Sequence, residues 1–110
     1  VASEQGALQL LASGAVDVVV LKPATLGGPG RALEIAAQAR QSGVEVVFSH
    51  TFESAVGARH ALHCAAAWGD AAAVHGLCTA GLFAHDVAEP VSCSAGFATA
   101  GAAPGLGISL

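Results

Sequence analysis

Residues 16–23 read VDVVVLKP, a β-branched apolar run that ends in Lys22, the only lysine of the chain. A short run of this kind is typical of a parallel strand covered on both faces. Because α/β folds bind their ligands at the carboxyl ends of such strands, the position of Lys22 predicts a functional amine. The alternative is a surface cation that extends from the strand end into solvent.

The segments around this run alternate between helix and strand patterns. Helices are predicted over residues 3–13, 31–42 and 54–68, and each is followed directly by a glycine. Further strands are predicted over residues 44–49 and 73–77. Consecutive units of this kind form right-handed crossovers in a parallel sheet or barrel, so the predicted fold class is α/β.

A second group of polar residues follows the strand at 44–49. Ser49 ends that strand, and His50, Thr51 and Glu53 come directly after it. The carboxyl ends of successive parallel strands meet at one edge of a sheet, so these side chains are expected close to Lys22. The sequence therefore predicts an active site at this edge.

The composition indicates a domain segment with apolar surface to bury. The 110 residues are 54% hydrophobic and only 11% charged. A small domain needs much polar surface because its surface is large relative to its volume. We therefore expect residues 1–110 to pack against further polypeptide.

Charge and hydropathy exclude two classes of partner. The net charge is −4, and the four basic residues are spread along the chain without forming a cationic patch for nucleic acid. No apolar run reaches the roughly 18 residues of a membrane span, and the N-terminus lacks the pattern of a signal peptide. We expect a soluble, cytoplasmic protein that binds neither nucleic acid nor membrane.

Cysteines and isolated histidines give weaker signals. Cys64, Cys78 and Cys93 are odd in number and widely spaced, which predicts reduced thiols, with Cys64 buried in a helix. His75 and His85 have no evident partner in the sequence. Packing or a surface position is the expected role of both.

Four segments in this order carry a resemblance to a known family: VLKPATLGG (20–28), SHTFESAVG (49–57), HGL (75–77) and PGLGI (104–108). Together they resemble the C-terminal part of an enolase-superfamily enzyme of the muconate lactonizing subgroup, most like the o-succinylbenzoate synthases. The likeness extends over almost the whole chain.

The resemblance implies a specific architecture. Residues 1–110 would be the C-terminal portion of a modified (β/α) TIM barrel, with about three βα units and a C-terminal tail. The remainder of the barrel and a capping domain would lie outside this chain. The ligands of a Mg²⁺ cofactor are expected upstream of Val1, so no metal ligand is expected among these residues.

The resemblance also implies roles for individual residues. Lys22 would end the sixth barrel strand and act in catalysis by stabilising an anionic intermediate. Glu53 matches an acid position of the family, and a cap or ion pair at the start of the next helix is the alternative. The residues implied to line the substrate pocket are Ser49, His50, Thr51, Gly76 and Leu77.

The implied reaction is removal of a proton α to a carboxylate, followed by loss of water, on the route to menaquinone. N-succinylamino acid racemase activity is an alternative within the superfamily. A Schiff-base aldolase that uses Lys22 as a nucleophile is a second alternative. A third is a non-catalytic α/β module that binds a small carboxylate. The eighth-strand segment HGLCT (75–79) lacks the Asp-x-Asp motif of dipeptide epimerases, which disfavours that activity.

Overall fold

The computed structural model describes residues 1–70 and 72–109. In this part of the chain helices and strands alternate as the sequence predicts. In chain order the main elements are α1 (Glu4–Ser13), β1 (Val18–Leu21), α2 (Pro29–Gln41), β2 (Glu45–Phe48) and α3 (Ala55–Trp68). Two short 3-10 helices, Pro23–Leu26 and Ala80–Leu82, follow the strand ends.

The two strands form a parallel sheet with α2 as the crossover. Their register pairs Val18 with Glu45 and Leu21 with Phe48. The pairing extends by one isolated parallel bridge, from Ser49 to a third segment at Gly76. The carboxyl ends of three chain segments therefore lie side by side.

The prediction of a third strand over residues 73–77 is wrong. Within the described residues, only Gly76 of this segment pairs with β2, through its N–H to the Phe48 carbonyl at 2.9 Å. The Phe48 N–H instead donates to a side chain, Nδ1 of His75, at 3.1 Å. Residues 72–75 form a turn and irregular backbone, so the segment before Gly76 does not continue the strand.

The helix boundaries follow from local sequence. The hydroxyl of Ser3 caps α1 by accepting from the Gly6 N–H at 3.1 Å. Gly27 and Gly28 have φ values of 92° and 113°, a region that only glycine enters without strain. Pro29 then starts α2, two residues before the predicted start, because proline fits the first turn of a helix.

The helices cover one face of the sheet. Val19 and Leu21 are 2% and 0% exposed and belong to the core, whereas Val18 and Val20 on the other face are 45% and 39% exposed. The prediction that this strand is covered on both faces therefore does not hold within the chain. Its second face keeps the apolar surface that the composition led us to expect.

The tail folds back onto this core. A disulfide joins Cys78 to Cys93, so the prediction of reduced thiols is wrong for this pair. The physical reason is the return of the chain, which buries Val91 in the core and brings the two cysteines together. Cys64 is buried as predicted, and this burial raises the pKa of its thiol to about 11. None of the described helices has the length and apolar character needed to cross a membrane.

Candidate active site

Lys22, Ser49 and Gly76 form one rung across the three neighbouring chain ends. Lys22 continues β1 in an extended conformation, with φ −117° and ψ 102°. The Ser49 N–H donates to the Leu21 carbonyl at 3.0 Å, and because Leu21 pairs with Phe48, Lys22 lies beside Ser49 in the register. Ser49 in turn pairs with Gly76. The predicted meeting of strand ends is thus present for these three residues.

Strand alternation puts this rung on the face that the helices leave open. Successive residues of a strand point to opposite faces. Lys22 therefore lies on the same face as Val18 and Val20, and Ser49 lies on the same face as Val47. Lys22 and Ser49 are both half-buried. A ligand on the open face can meet an ammonium group and a hydroxyl group next to each other.

The Ser49 hydroxyl is oriented by Gly76. It donates to the Gly76 carbonyl at 3.0 Å, so its proton is engaged and its lone pairs remain available as acceptors. A Cβ at position 76 would lie 3.0 Å from the Ser49 Oγ. Glycine therefore gives the hydroxyl its space.

His50 and Leu77 lie on the opposite face, toward the helices. His50 is 6% exposed, and its Nε2 lies 3.4 Å from the Leu77 carbonyl and 3.0 Å from the Thr79 hydroxyl. Its Nδ1 is buried without a hydrogen-bond partner among the described residues. The structure therefore does not bring His50 or Leu77 beside Lys22, because each is one residue beyond a rung residue and alternation reverses its direction.

Thr51 and Glu53 form a local loop unit after β2. Glu53 Oε1 accepts from the Thr51 N–H at 3.1 Å and from the Thr51 hydroxyl at 2.6 Å. Gly57 on α3 allows this arrangement, since a Cβ there would stand 2.5 Å from the Glu53 Cβ. The carboxylate is thus held at the exposed end of the loop.

The cap of α3 comes from Asp86, which sequence reasoning did not identify. Both of its carboxylate oxygens accept from the Ala55 N–H, at 3.0 and 2.8 Å. The hydrogen bonds that the described residues make to Glu53 come from Thr51, so the cap of α3 is Asp86 and the role of Glu53 stays a prediction. Asp86 is 31 residues from Ala55, and no local motif signals such a contact.

His75 has a specific partner that the sequence did not reveal. Its Nδ1 accepts the Phe48 N–H, and its ring centroid lies 5.9 Å from the Phe48 ring. Burial lowers the pKa of His75, and the nearby charge of Asp70 opposes this effect. The expectation that His75 has no partner is therefore wrong, whereas its ring does pack against Phe48 as a packing role predicts.

Residues 1–70 and 72–109 contain no group of three or more His, Cys, Asp or Glu side chains that could hold a metal ion. Mg²⁺ prefers several oxygen ligands in octahedral geometry. The described residues therefore do not fit a Mg²⁺ site by themselves.

Comparisons with known proteins show the family and the fold of the chain. The sequence model of the family described as Enolase C-terminal domain-like matches residues 1–110. An o-succinylbenzoate synthase of Mycobacterium ulcerans is 47% identical over 83 residues, which cover 76% of this chain and 24% of that protein. One of Mycobacterium tuberculosis is 43% identical over 90 residues, covering 82% of this chain and 27% of that protein.

Among solved structures, the muconate lactonizing enzyme from Pseudomonas putida superposes with a TM-score of 0.90 at 25% identity. The match covers 99% of this chain and 31% of that one. The chain thus has the α/β fold of the C-terminal part of an enolase-type barrel, and its matches span 24% to 27% of the curated relatives' length.

Proposed function

Because the chain belongs to the Enolase C-terminal domain-like family, we propose that it forms the Lys22 side of the active site in a lyase of the o-succinylbenzoate synthase type. The observation that carries this proposal is the rung of Lys22, Ser49 and Gly76 on the open face of the sheet. The 43% and 47% identities to o-succinylbenzoate synthases support the choice of reaction.

The proposed reaction removes a proton α to a carboxylate and then eliminates water. Negative charge develops on the substrate as the proton leaves. A fixed cation beside that charge stabilises the transition state without having to reorganise, and the effect is large where water is excluded. Lys22 provides this cation, with three N–H donors at the end of β1.

The neighbouring residues shape the pocket for a small carboxylate substrate. Because the Ser49 hydroxyl donates to the Gly76 carbonyl, its lone pairs beside the Lys22 ammonium group can accept from an O–H or N–H group of the substrate rather than bind its carboxylate. Thr51 and Glu53 would approach the substrate from the exposed loop. His50 and Leu77 would support the rung from behind, through the contacts that join the two segments.

The complete enzyme would include polypeptide beyond these residues. The exposed Val18 and Val20 face requires a cover, which the remainder of the barrel and a capping domain would provide. The proposed enzyme uses Mg²⁺, acts in the cytoplasm and serves menaquinone synthesis. The described residues form no metal site, so none of the steps assigned to this chain passes through the metal.

The test is the activity of a full-length enzyme carrying Lys22→Ala and Lys22→Arg. We expect Lys22→Ala to lower kcat by about 10²- to 10³-fold, the range for loss of one preorganised electrostatic contact. Lys22→Arg keeps the charge but changes its shape, so we expect a smaller loss. Circular dichroism and the melting temperature serve as controls for folding. A Lys22→Ala enzyme with unchanged kcat would contradict the proposed role.

The same enzyme separates the alternative reactions. Formation of an aromatic product with release of water supports the lyase. Exchange of the α-proton with deuterium from solvent and no loss of water would indicate a racemase instead. Borohydride trapping of substrate on Lys22 would indicate Schiff-base chemistry. Binding of a carboxylate with no turnover would indicate the non-catalytic module.

A further inference from the structure

His75 takes the place of a backbone group in the sheet. In a parallel ladder each strand N–H normally donates to a carbonyl of the neighbouring strand. Here the Phe48 N–H donates to the ring Nδ1 of His75 at 3.1 Å, while the Phe48 carbonyl accepts from the Gly76 N–H at 2.9 Å. Both backbone polar groups of Phe48 are therefore held by the residues 75 and 76.

This contact acts directly on the rung that carries the proposed function. Phe48 precedes Ser49, and its side chain is fully buried, packed edge-on against Trp68 with ring centroids 6.4 Å apart. The Phe48 ring fixes one side of the residue and the His75 imidazole fixes its N–H. The direction of the following residue, Ser49, depends on both.

The bond requires one protonation state of His75. An Nδ1 that accepts a hydrogen bond carries no proton, so the ring is neutral with its proton on Nε2. An imidazolium has a proton on both nitrogens and would present a donor to the Phe48 N–H. Burial lowers the pKa of His75, which keeps the ring neutral to lower pH than an exposed histidine.

The charged surroundings of His75 are sparse. Among the residues that line the cavity beside its ring, Asp70 after α3 is the only charged one. Cys78 also lines this cavity but is in the disulfide and does not titrate. Glu45 on β2 lines the adjoining cavity together with Asp70, and Arg40 on α2 stacks on Trp68 at 3.6 Å. Protonation of His75 is thus favoured by the negative charge of Asp70 and opposed by the burial of the ring.

We propose that His75 is a positioning residue: its neutral ring holds the Phe48 backbone so that Ser49 stays beside Lys22, and protonation of the ring releases this end of β2. The part of the inference that concerns turnover depends on the proposed function. The part that concerns the Phe48 contact does not.

The first test uses nitrogen and amide NMR of the full-length enzyme. We expect His75 to be the tautomer with the proton on Nε2, and the amide signals of Phe48 and Ser49 to titrate with the His75 ring. A proton on Nδ1, or amide signals of Phe48 and Ser49 that do not change as His75 titrates, would overturn the proposal. Neither readout requires activity, so failure of the proposed function would remain distinguishable.

The second test compares His75→Asn, His75→Gln and His75→Leu. The Asn side-chain oxygen reaches about as far as Nδ1, so His75→Asn should keep the Phe48 bond and hold kcat close to the unsubstituted value. Gln places its oxygen farther out, and Leu has no acceptor. We expect these two variants to lower kcat about tenfold, the effect of one net hydrogen bond.

The pH dependence provides a readout that a purely structural role would not change. In the unsubstituted enzyme kcat should fall as the pH drops through the lowered pKa of His75, below its ordinary value of 6.5. This acid limb should be absent in His75→Asn, which keeps an acceptor at all these pH values. An unchanged limb in His75→Asn, or full activity in His75→Leu, would refute the positioning role.

Discussion

Replacing Asp86 by alanine is expected to loosen the start of α3. The carboxylate of Asp86 caps the Ala55 N–H at 3.0 and 2.8 Å, whereas the side chain of Ser54, at the local N-cap position, makes no capping hydrogen bond. An N-cap bond contributes about 1 kcal/mol. A negative charge at a helix N-terminus adds about 0.3–1 kcal/mol. We therefore expect Asp86→Ala to cost about 1.3–2 kcal/mol of helix stability.

Two matched variants separate the hydrogen bond from the charge and from the local sequence. Asp86→Asn keeps an oxygen acceptor and loses the charge, so it should cost only about 0.3–1 kcal/mol. Ser54→Ala removes the side chain at the local N-cap position of α3. Because that side chain makes no capping bond, we expect no measurable change.

Amide hydrogen exchange at Ala55 in the full-length enzyme is the most direct assay, because it reports the opening of the first turn. A cost of about 1.3–2 kcal/mol corresponds to about a 10- to 30-fold faster exchange in Asp86→Ala. Urea unfolding gives the effect on overall stability. The reasoning is refuted if Ser54→Ala accelerates exchange as much as Asp86→Ala does.

Two further predictions concern the loop after β2 and the cysteines. Gly57→Ala adds a Cβ that would stand 2.5 Å from the Glu53 Cβ, so Glu53 must move away from Thr51. The lost contact exceeds the gain in helix propensity, so we expect urea unfolding to show a free energy of unfolding lower by about 1 kcal/mol. In a Glu53→Gly background, which has no Cβ at position 53, the same change should be neutral or stabilising, and a loss of equal size there would contradict this account. Thiol titration of the unfolded chain without reductant should find only Cys64 reactive, and reduction should release Cys78 and Cys93. In the folded protein Cys64 should be alkylated slowly, and the rate should increase as the pH rises toward its pKa of about 11. Detection of three thiols before reduction would argue against the disulfide.

Much of the site could be predicted from local sequence. The apolar run before Lys22 and the capping pattern at Ser3 depend on residues close together in the chain, and the structure has β1 and α1 in those places. The pairing of Ser49 with Lys22 follows from two parallel strands joined by one crossover helix. Their proximity needed no knowledge of distant contacts.

The two faces of the strand ends were harder to predict. Sequence position puts Ser49 and His50 together at the end of β2, and both were predicted to line the substrate pocket. The strand has a period of two, so adjacent residues point in opposite directions. His50 is buried toward the helices and Ser49 lies on the open face.

Hydrophobic periodicity and glycine positions act over a few residues, so the alternation of helices and strands and the polar edge around Lys22 follow from local sequence. Tertiary packing is what makes His75 replace a strand partner, Asp86 cap α3 and Cys78 meet Cys93. These contacts join residues 27, 31 and 15 positions apart. No local pattern encodes them, since each depends on how the chain returns after Gly76 to pack against the core.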